Sequence, residues 1–267
     1  MTLPDDVTTA LEGFARRSAI LVATDFDGVL APFVTDPMDA RPLDGTVEDL
    51  SALAELPRTF TAVVSGRDLD TLTQLTGLSD DSRVTRIGSH GAQSSHESAE
   101  DDSLSDEQHE LLQRLTGDLH GVVDAHPGVR LELKPKATVL HTRGQEESVV
   151  EAAVQSALEV ADRHTGVKVL QGKNVVEMSV VTADKGTALR ALQGHVGAEA
   201  VLYFGDDVTD EHAFEVMGED DVSVKVGTGE TAARYRLDTS EQVAEALSTL
   251  LGMRRRAADL SADDRNR

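Results

Sequence analysis

The sequence predicts an α/β fold, in which a parallel sheet is flanked by helices and a smaller α+β segment is inserted partway along. Two observations carry that reading. Residues 20–30, Ile-Leu-Val-Ala-Thr-Asp-Phe-Asp-Gly-Val-Leu, form an apolar run broken by two carboxylates and a glycine, the pattern of a buried parallel strand whose carboxyl end opens into a site. Comparable runs recur at 59–64, 83–88, 200–204 and 222–226, whereas between 104 and 181 the rhythm changes to αββαββ. That order suggests a compact, mostly antiparallel sheet with two helices on one side. The expected division is a discontinuous core, 1–103 with 182–267, and a separate insert, 104–181.

Taken in order, residues 4–17 read as a helix with Val7, Leu11, Phe14 and Ala15 on one face. After the opening strand come a helix at 46–56, a strand at 59–64 ending in Ser65-Gly66-Arg67, a helix at 68–75 and a strand at 83–88 followed by Ser89-His90-Gly91-Ala92. Residues 93–106 turn polar and acidic and read as a linker. In the insert, Leu104, Leu111, Leu112, Leu115, Leu119 and Val122 recur at helical spacing, strands at 129–134 and 138–142 flank Pro135, and Val150, Val154, Leu158 and Ala161 mark a second helix. Strands at 167–170 and 175–180 then enclose a Gln171-Gly172-Lys173-Asn174 hairpin loop. The α/β rhythm returns with a helix from Asp184 to about Leu192, a strand at 200–204, a last strand at 222–226 and a closing helix at 241–251. Gly227-Thr228-Gly229-Glu230-Thr231-Ala232 matches Gly-x-Gly-x-x-Ala, but no helical pattern follows directly, so it is a poor dinucleotide loop. Arg254-Arg255-Arg256 and the polar tail read as frayed.

Composition narrows the function. The 267 residues suffice for one large domain or two smaller ones. A net charge of −23 argues against nucleic acid or an anionic membrane as partner. An anionic substrate would then need local cations. There is no cysteine, which excludes disulfides, thiolate metal sites and a cysteine nucleophile. Residues 1–19 lack the apolar core of a signal peptide and no run approaches the ~18 apolar residues of a membrane span. The expectation is a soluble, cytoplasmic protein.

Asp25 and Asp27 would face one ligand if the strand continues through them, or take separate tasks if the chain turns between them, which Gly28 eases. A solvated acidic turn is one use of Asp-x-Asp-Gly. A calcium loop is excluded, since Val29 occupies the fifth position and the glycine is fourth rather than sixth. The remaining use is phosphoryl chemistry, where one carboxylate attacks phosphorus, another moves a proton and a divalent ion offsets the repulsion. That chemistry demands a hydroxyl, a cation and more carboxylates. Ser65 precedes a helix N-terminus, Lys185 lies in Asp184-Lys185-Gly186, and Asp206, Asp207, Asp210 and Glu211 crowd the end of the 200–204 strand.

Asp-x-Asp-Gly, Ser-Gly-Arg, Asp-Lys-Gly and Gly-Asp-Asp-x-Thr-Asp-Glu, in that order, resemble the haloacid dehalogenase superfamily of phosphohydrolases. Within it, Gly88-Ser89-His90-Gly91-Ala92, Leu131-Glu132-Leu133-Lys134, His141-Thr142-Arg143 and Val224-Lys225-Val226-Gly227 resemble the trehalose-6-phosphate phosphatases. The resemblance implies a Rossmann-like three-layer core with an αββαββ cap, and Mg²⁺-dependent hydrolysis of trehalose 6-phosphate in trehalose biosynthesis. It implies Asp25 as nucleophile, Asp27 as acid and base, and Ser65 and Lys185 as phosphate ligands. Mg²⁺ would take the Asp25 carboxylate, the Asp27 carbonyl and Asp206, with Asp207 or Asp210 in support. Gly66, Arg67 and His90, and from the cap Glu132, Lys134, Arg143, Lys173 and Glu177, would meet the substrate. A small sugar phosphate is the implied partner of a monomeric enzyme, with a glycosyltransferase supplying it.

Four positions depart from the family pattern: Val29 for threonine, Gln93 for an acidic residue, and Ser179-Val180 for Arg-Pro. Rival expectations are a phosphatase for another sugar phosphate, such as sucrose 6-phosphate or a mannosylglycerate precursor, a non-catalytic phosphosugar-binding subunit, and transfer of the phosphoryl group to a second alcohol.

Overall fold

The computed structural model describes residues 2–96, 104–172, 174–181 and 184–265, with side chains to residue 257. The chain runs α1 (Asp5–Ala15), β1 (Ile20–Asp25), α2 (Thr46–Ala54), β2 (Thr59–Val64), α3 (Leu69–Thr76), β3 (Val84–Gly88), β4 (Gln93–Ser94), α4 (Asp106–Ala125), β5 (Arg130–Leu133) and β6 (Ala137–His141). It continues through α5 (Glu147–Asp162), β7 (Lys168–Gly172), β8 (Val175–Ser179), α6 (Lys185–Val196), β9 (Ala200–Gly205), α7 (Val208–Val216), β10 (Val222–Val226), β11 (Tyr235–Leu237) and α8 (Ser240–Arg265). It divides into two compact units, residues 1–97 with 183–267, and residues 98–182. No described helix is long and apolar enough to cross a membrane.

The first unit is a Rossmann-like three-layer α/β fold on a seven-stranded sheet of order β11-β10-β9-β1-β2-β3-β4, parallel except for β4. Strand residues alternate between its faces because side chains two apart share a side. Ile20, Val22, Leu202 and Phe204 join the core under α1, α2, α3 and α8. Leu21, Ala23, Val201 and Tyr203 join the opposite core under α6 and α7. Strand order reverses at the β1–β9 pair, so the crevice beyond their carboxyl ends is where such a sheet binds ligands.

The second unit is a four-stranded sheet of order β5-β6-β8-β7, every pair antiparallel. Leu140, Val176 and Met178 share one core with Leu115 and Leu119 of α4 and Ala153 and Ala157 of α5. Register puts Glu132, Val139 and Glu177 in one row across β5, β6 and β8, on the face turned away from those helices.

Four details differ from the sequence reading. The 222–226 strand is not the last, because β11 follows and pairs parallel to it. Residues 93 and 94 of the expected linker form β4, while 97–103 lie outside the described residues. The acidic run beyond β9 starts a helix, α7, capped by Asp207. The arginine tail is helical, and Arg254 is buried: its guanidinium donates to Thr59 Oγ1 at 2.9 Å and to the Ala15, Arg17 and Ser18 carbonyls at 2.9, 2.5 and 3.1 Å. Carbonyls at the C-terminal end of α1 and, from Pro57 and Arg58, just before β2 thus hold a helix residue that composition alone marked as loose.

Candidate active site

Strand β1 stops at Asp25, so Asp27 lies past the strand and the two carboxylates separate. Ala31 N donates to Phe26 O and Gly28 N to Ala31 O, both at 2.8 Å, closing a tight loop after the strand. Gly28 has φ +76°, and a Cβ there would lie 2.1 Å from Asp206 Oδ2 and 2.7 Å from Phe33 Cζ. Only glycine lets Asp206 approach this loop.

Asp25 is buried and accepts a 2.6 Å hydrogen bond from Phe26 N on Oδ1. Its Oδ2 lies 2.8 Å from Lys185 Nζ. Lys185 opens α6 behind its N-cap Asp184, which accepts from Thr187 N at 2.7 Å. A first-turn lysine is usually solvated, yet this one is 2 % exposed, with its Nζ also 2.8 Å from Asp210 Oδ1. Asp210 accepts two further bonds from Asp206 N and Asp207 N, each 2.9 Å, and one of 2.5 Å from Tyr203 OH. Four donors therefore fill its carboxylate and hold it in place.

The electrostatics follow from burial. Burial pushes the Asp25 carboxyl well above its ordinary range and the Asp210 charge adds to that, against the pull of Lys185. Asp206 is pushed up to about 6, by burial first and by Asp210 second. Burial would raise Asp210 too, but Lys185, Tyr203 and the amides outweigh it and hold it below its usual value. Lys185 is raised despite its burial because Asp25 and Asp210 flank it. One ammonium thus faces three carboxylates. Oxygens of Asp25, Asp206 and Asp210 lie within 4.8 Å of one another. The Asp206 carboxylate has no hydrogen-bond partner among the described residues. This donor set fits a hard divalent cation: the Asp206 carboxylate is open, Asp25 shares its oxygens with Phe26 N and Lys185, and Asp210 is committed to its four donors. Asp207 is exposed and caps α7 through Val208 N at 2.7 Å, outside that group of three.

Ser65 follows β2, the strand beside β1 on the side away from β9. It is 1 % exposed, and its Oγ accepts from Arg67 N at 3.1 Å. His90 N donates to Ser65 O at 2.9 Å and Ser89 N to Arg67 O at 2.7 Å, stitching two strand exits together. Ser89 and His90 hold φ of +50° and +55°, a conformation that costs non-glycine residues energy and persists only where the surroundings impose it. The His90 ring packs on Gly66, where a Cβ would lie 2.5 Å from its Cε1. Arg67 grips Asp27 bidentately, with Nε and Nη2 each 2.7 Å from a carboxylate oxygen. It also stacks 5.5 Å from the centroid of Phe26. Arg67 thus faces a protein carboxylate, which spacing alone could not reveal.

In the second unit, Lys134 Nζ meets Glu177 at 2.7 Å and His141 Nε2 meets Glu132 at 2.7 Å. Arg143 is exposed in the turn after β6, and Lys173 lies outside the described residues. The departures from the family pattern have local occupations. Val29 and Val180 are core residues, and the single Ser179 hydroxyl proton is shared between the Lys136 and Val181 carbonyls, 3.2 and 3.1 Å from Oγ. Gln93 Oε1 accepts from Leu69 N and Ser89 Oγ, both 2.9 Å, so it caps the first turn of α3.

Two residues at this site escaped the sequence reading. Tyr203 was hidden inside an apolar run. Lys225 lay within a quoted motif but was not picked as a site residue. Lys225, buried at the end of β10, donates to Asp206 O at 2.6 Å. A lysine alternating with valines next to the end of a short strand is the signal that would have found it.

Comparison with known proteins supplies the family. The family model described as trehalose-phosphatase matches residues 23–241, most of the chain. The chain belongs to the trehalose-phosphatase family. Among relatives of this trehalose-phosphatase family member, a bifunctional trehalose-6-phosphate synthase/phosphatase of Thermoproteus tenax is 35% identical over 227 residues, covering 84% of this chain and 31% of that protein. A trehalose-phosphate phosphatase of Mycolicibacterium paratuberculosis is 33% identical over 265 residues, covering 91% of this chain and 65% of that one. The chain thus spans a third to just under two thirds of the length of these curated relatives. Among solved structures, Aspergillus fumigatus trehalose-6-phosphate phosphatase matches with a TM-score of 0.69 at 25% identity, covering 94% of this chain and 99% of that one.

Proposed function

We propose that this chain hydrolyses trehalose 6-phosphate to trehalose and phosphate, with Mg²⁺ as cofactor. The observation that carries the reading is the convergence on Lys185, whose Nζ lies 2.8 Å from both Asp25 and Asp210 at the end of the sheet, with Asp206 in the same group of carboxylates. The choice of trehalose 6-phosphate over other esters is supported by the family match and by the names of the relatives.

Asp25 attacks phosphorus, forming an aspartyl-phosphate and releasing the sugar oxygen. Asp27 gives that oxygen a proton, then takes one from the water that cleaves the acyl phosphate. Arg67 holds Asp27 in place through both carboxylate oxygens. Lys185 and the Ser65 hydroxyl bind phosphoryl oxygens, and Asp210, fixed by its four donors, keeps Lys185 aimed. The Asp25 carboxylate, the Asp27 carbonyl and Asp206 would hold Mg²⁺, which when bound would offset charge on the phosphoryl oxygens. The second unit is the cap: Glu132, Lys134 and Glu177 read the sugar hydroxyls, with Arg143 and Lys173, while Gly66 and His90 shape the phosphate side. Paired charges suit that task because a carboxylate and an ammonium discriminate hydroxyl patterns by hydrogen bonding.

The test is phosphate release with Mg²⁺ across a panel of sugar phosphates. Trehalose 6-phosphate is expected to be the best substrate. Higher activity on sucrose 6-phosphate or another ester would overturn the substrate assignment, and product formed only on adding an alcohol would make the enzyme a transferase. Asp25→Asn is expected to abolish turnover with an unchanged circular dichroism spectrum. An unchanged rate would remove Asp25 as nucleophile.

A further inference from the structure

The segment Gly227-Thr228-Gly229-Glu230-Thr231-Ala232 has no part in the chemistry above, yet its backbone is engaged. Gly227 N donates to Leu237 O at 2.8 Å, and Arg236 donates to the Gly227 and Gly229 carbonyls at 2.5 and 2.7 Å. Its far end serves a carboxylate of the protein: Glu211 Oε2 accepts from Ala232 N at 2.8 Å and from Thr231 Oγ1 at 3.0 Å. The other Glu211 oxygen lies 3.2 Å from Lys225 Nζ, and that ammonium donates to the Asp206 carbonyl at 2.6 Å. Lys225 faces Gly205 across the parallel β9–β10 pair, one residue before Asp206.

We infer that Lys225, clamped by Glu211 and the 227–232 strap, is a positioning residue that fixes the Asp206 main chain so that its carboxylate is pre-set for the divalent cation. The inference rests on the reading of Asp25 and Asp206 as cation ligands. The cluster draws its ends from three elements, the β9 exit, the first turn of α7 and the β10–β11 connection, and Lys225 is the residue that touches two of them at once. Asp206 itself is wedged against Gly28 on its other side, so a shift of its backbone leaves the carboxylate no compensating position. A Gly-x-Gly-x-x-Ala strap in this role presents its amide to an internal carboxylate instead of a nucleotide phosphate.

Charge and position make opposite predictions, which gives the test its edge. Lys225 is a cation beside a cation site, so as a point charge its loss should tighten Mg²⁺ binding. As a positioning residue its loss should weaken it. The experiment is calorimetric titration of the full chain with Mg²⁺ alone, without substrate, for wild type, Lys225→Met and Thr231→Val. The expected result is a dissociation constant raised roughly tenfold in Lys225→Met and about threefold in Thr231→Val, which removes a strap hydroxyl and changes no charge. Lys225→Met that binds Mg²⁺ as tightly as wild type, or more tightly, overturns the inference. If Lys225→Met shows no cooperative melt, Thr231→Val decides, and unchanged affinity there overturns it. A wild-type chain that binds no Mg²⁺ overturns the inference together with the cation reading beneath it. Phosphate released from another sugar ester in place of trehalose 6-phosphate would displace the substrate assignment and leave this inference standing.

Discussion

Gly28→Ala is the smallest change that separates the two sides of the proposed cation site. The new methyl carbon would start 2.1 Å from Asp206 Oδ2, 2.6 Å from its Cγ and 2.7 Å from Phe33 Cζ. Ordinary contact lies near 3.5 Å, so the carboxylate must retreat by more than about 1 Å, while exposed Phe33 swings aside at little cost. Alanine at φ +76° adds roughly 1–2 kcal/mol of left-handed backbone strain. Together with the lost packing the fold is expected to weaken by about 2 kcal/mol, roughly 5 °C in melting temperature for a chain of this size. The larger effect is on chemistry, since a misplacement of about 1 Å at a reacting centre can cost ~100-fold in rate. The assays are a thermal melt with and without Mg²⁺ and a phosphate-release rate at saturating substrate. A variant within 1 °C of wild type (about half a kcal/mol or less) and turning over at half its rate or more would refute the claim that Gly28 is required by the approach of Asp206.

Asp27→Asn is expected to slow turnover on the order of 10²-fold or more while Mg²⁺ still stabilises the protein, as thermal melting would report. Full activity there removes the acid and base role. Asp206, raised to about 6, binds a proton in the metal-free folded state that the unfolded chain has released by about pH 5, so its contribution to stability is lost as pH rises through 4 to 6. In EDTA, Asp206→Asn should therefore melt higher than wild type at pH 7.5 and close to it at pH 5, and the Mg²⁺-induced shift of wild type should grow over the same range as the proton ceases to compete. Equal shifts at both pH values would contradict the assignment of Asp206 as ligand. Arg254→Met removes a buried guanidinium that satisfies carbonyls of the α1–β1 connection and, at Pro57 and Arg58, of the α2–β2 connection, and should cost about 3 kcal/mol of stability without altering turnover of the folded fraction. Calorimetry and an active-site-normalised rate check both halves.

Much of the core was legible because its signals are short-range and repeated. Apolar runs bounded by Asp-x-Asp-Gly, Ser-Gly-Arg and Gly-Asp-Asp each carry strand and exit together, so β1, β2 and β9 could be placed from composition alone. The three residues of β11 are too few to show a period, and Tyr235-Arg236-Leu237 is recognisable as a strand only by its partner Val224-Lys225-Val226. Arginines at 254–256 read as solvated because charge is usually outside, yet chain carbonyls left open after α1 and before β2 gave Arg254 a buried place. The cast of the candidate site was readable, and its pairings were not. That Asp210 has all its acceptor capacity taken, or that Arg67 binds Asp27, depends on side-chain directions fixed by the whole fold.

The central strand has its two neighbours at very different distances along the chain: Ile20 pairs with Thr59 on one side and with Ala200 on the other. During synthesis β2 leaves the ribosome soon after β1, but the opposite edge of β1 must wait until the entire antiparallel unit has been made. That intervening unit, with its local pairings, is suited to fold first. Until β9 arrives, the nascent polypeptide carries an open hydrogen-bonding edge on a strand that is wholly buried in the finished fold, the kind of edge that recruits foreign strands. Residues at that edge bear a hazard of self-association that the finished molecule conceals.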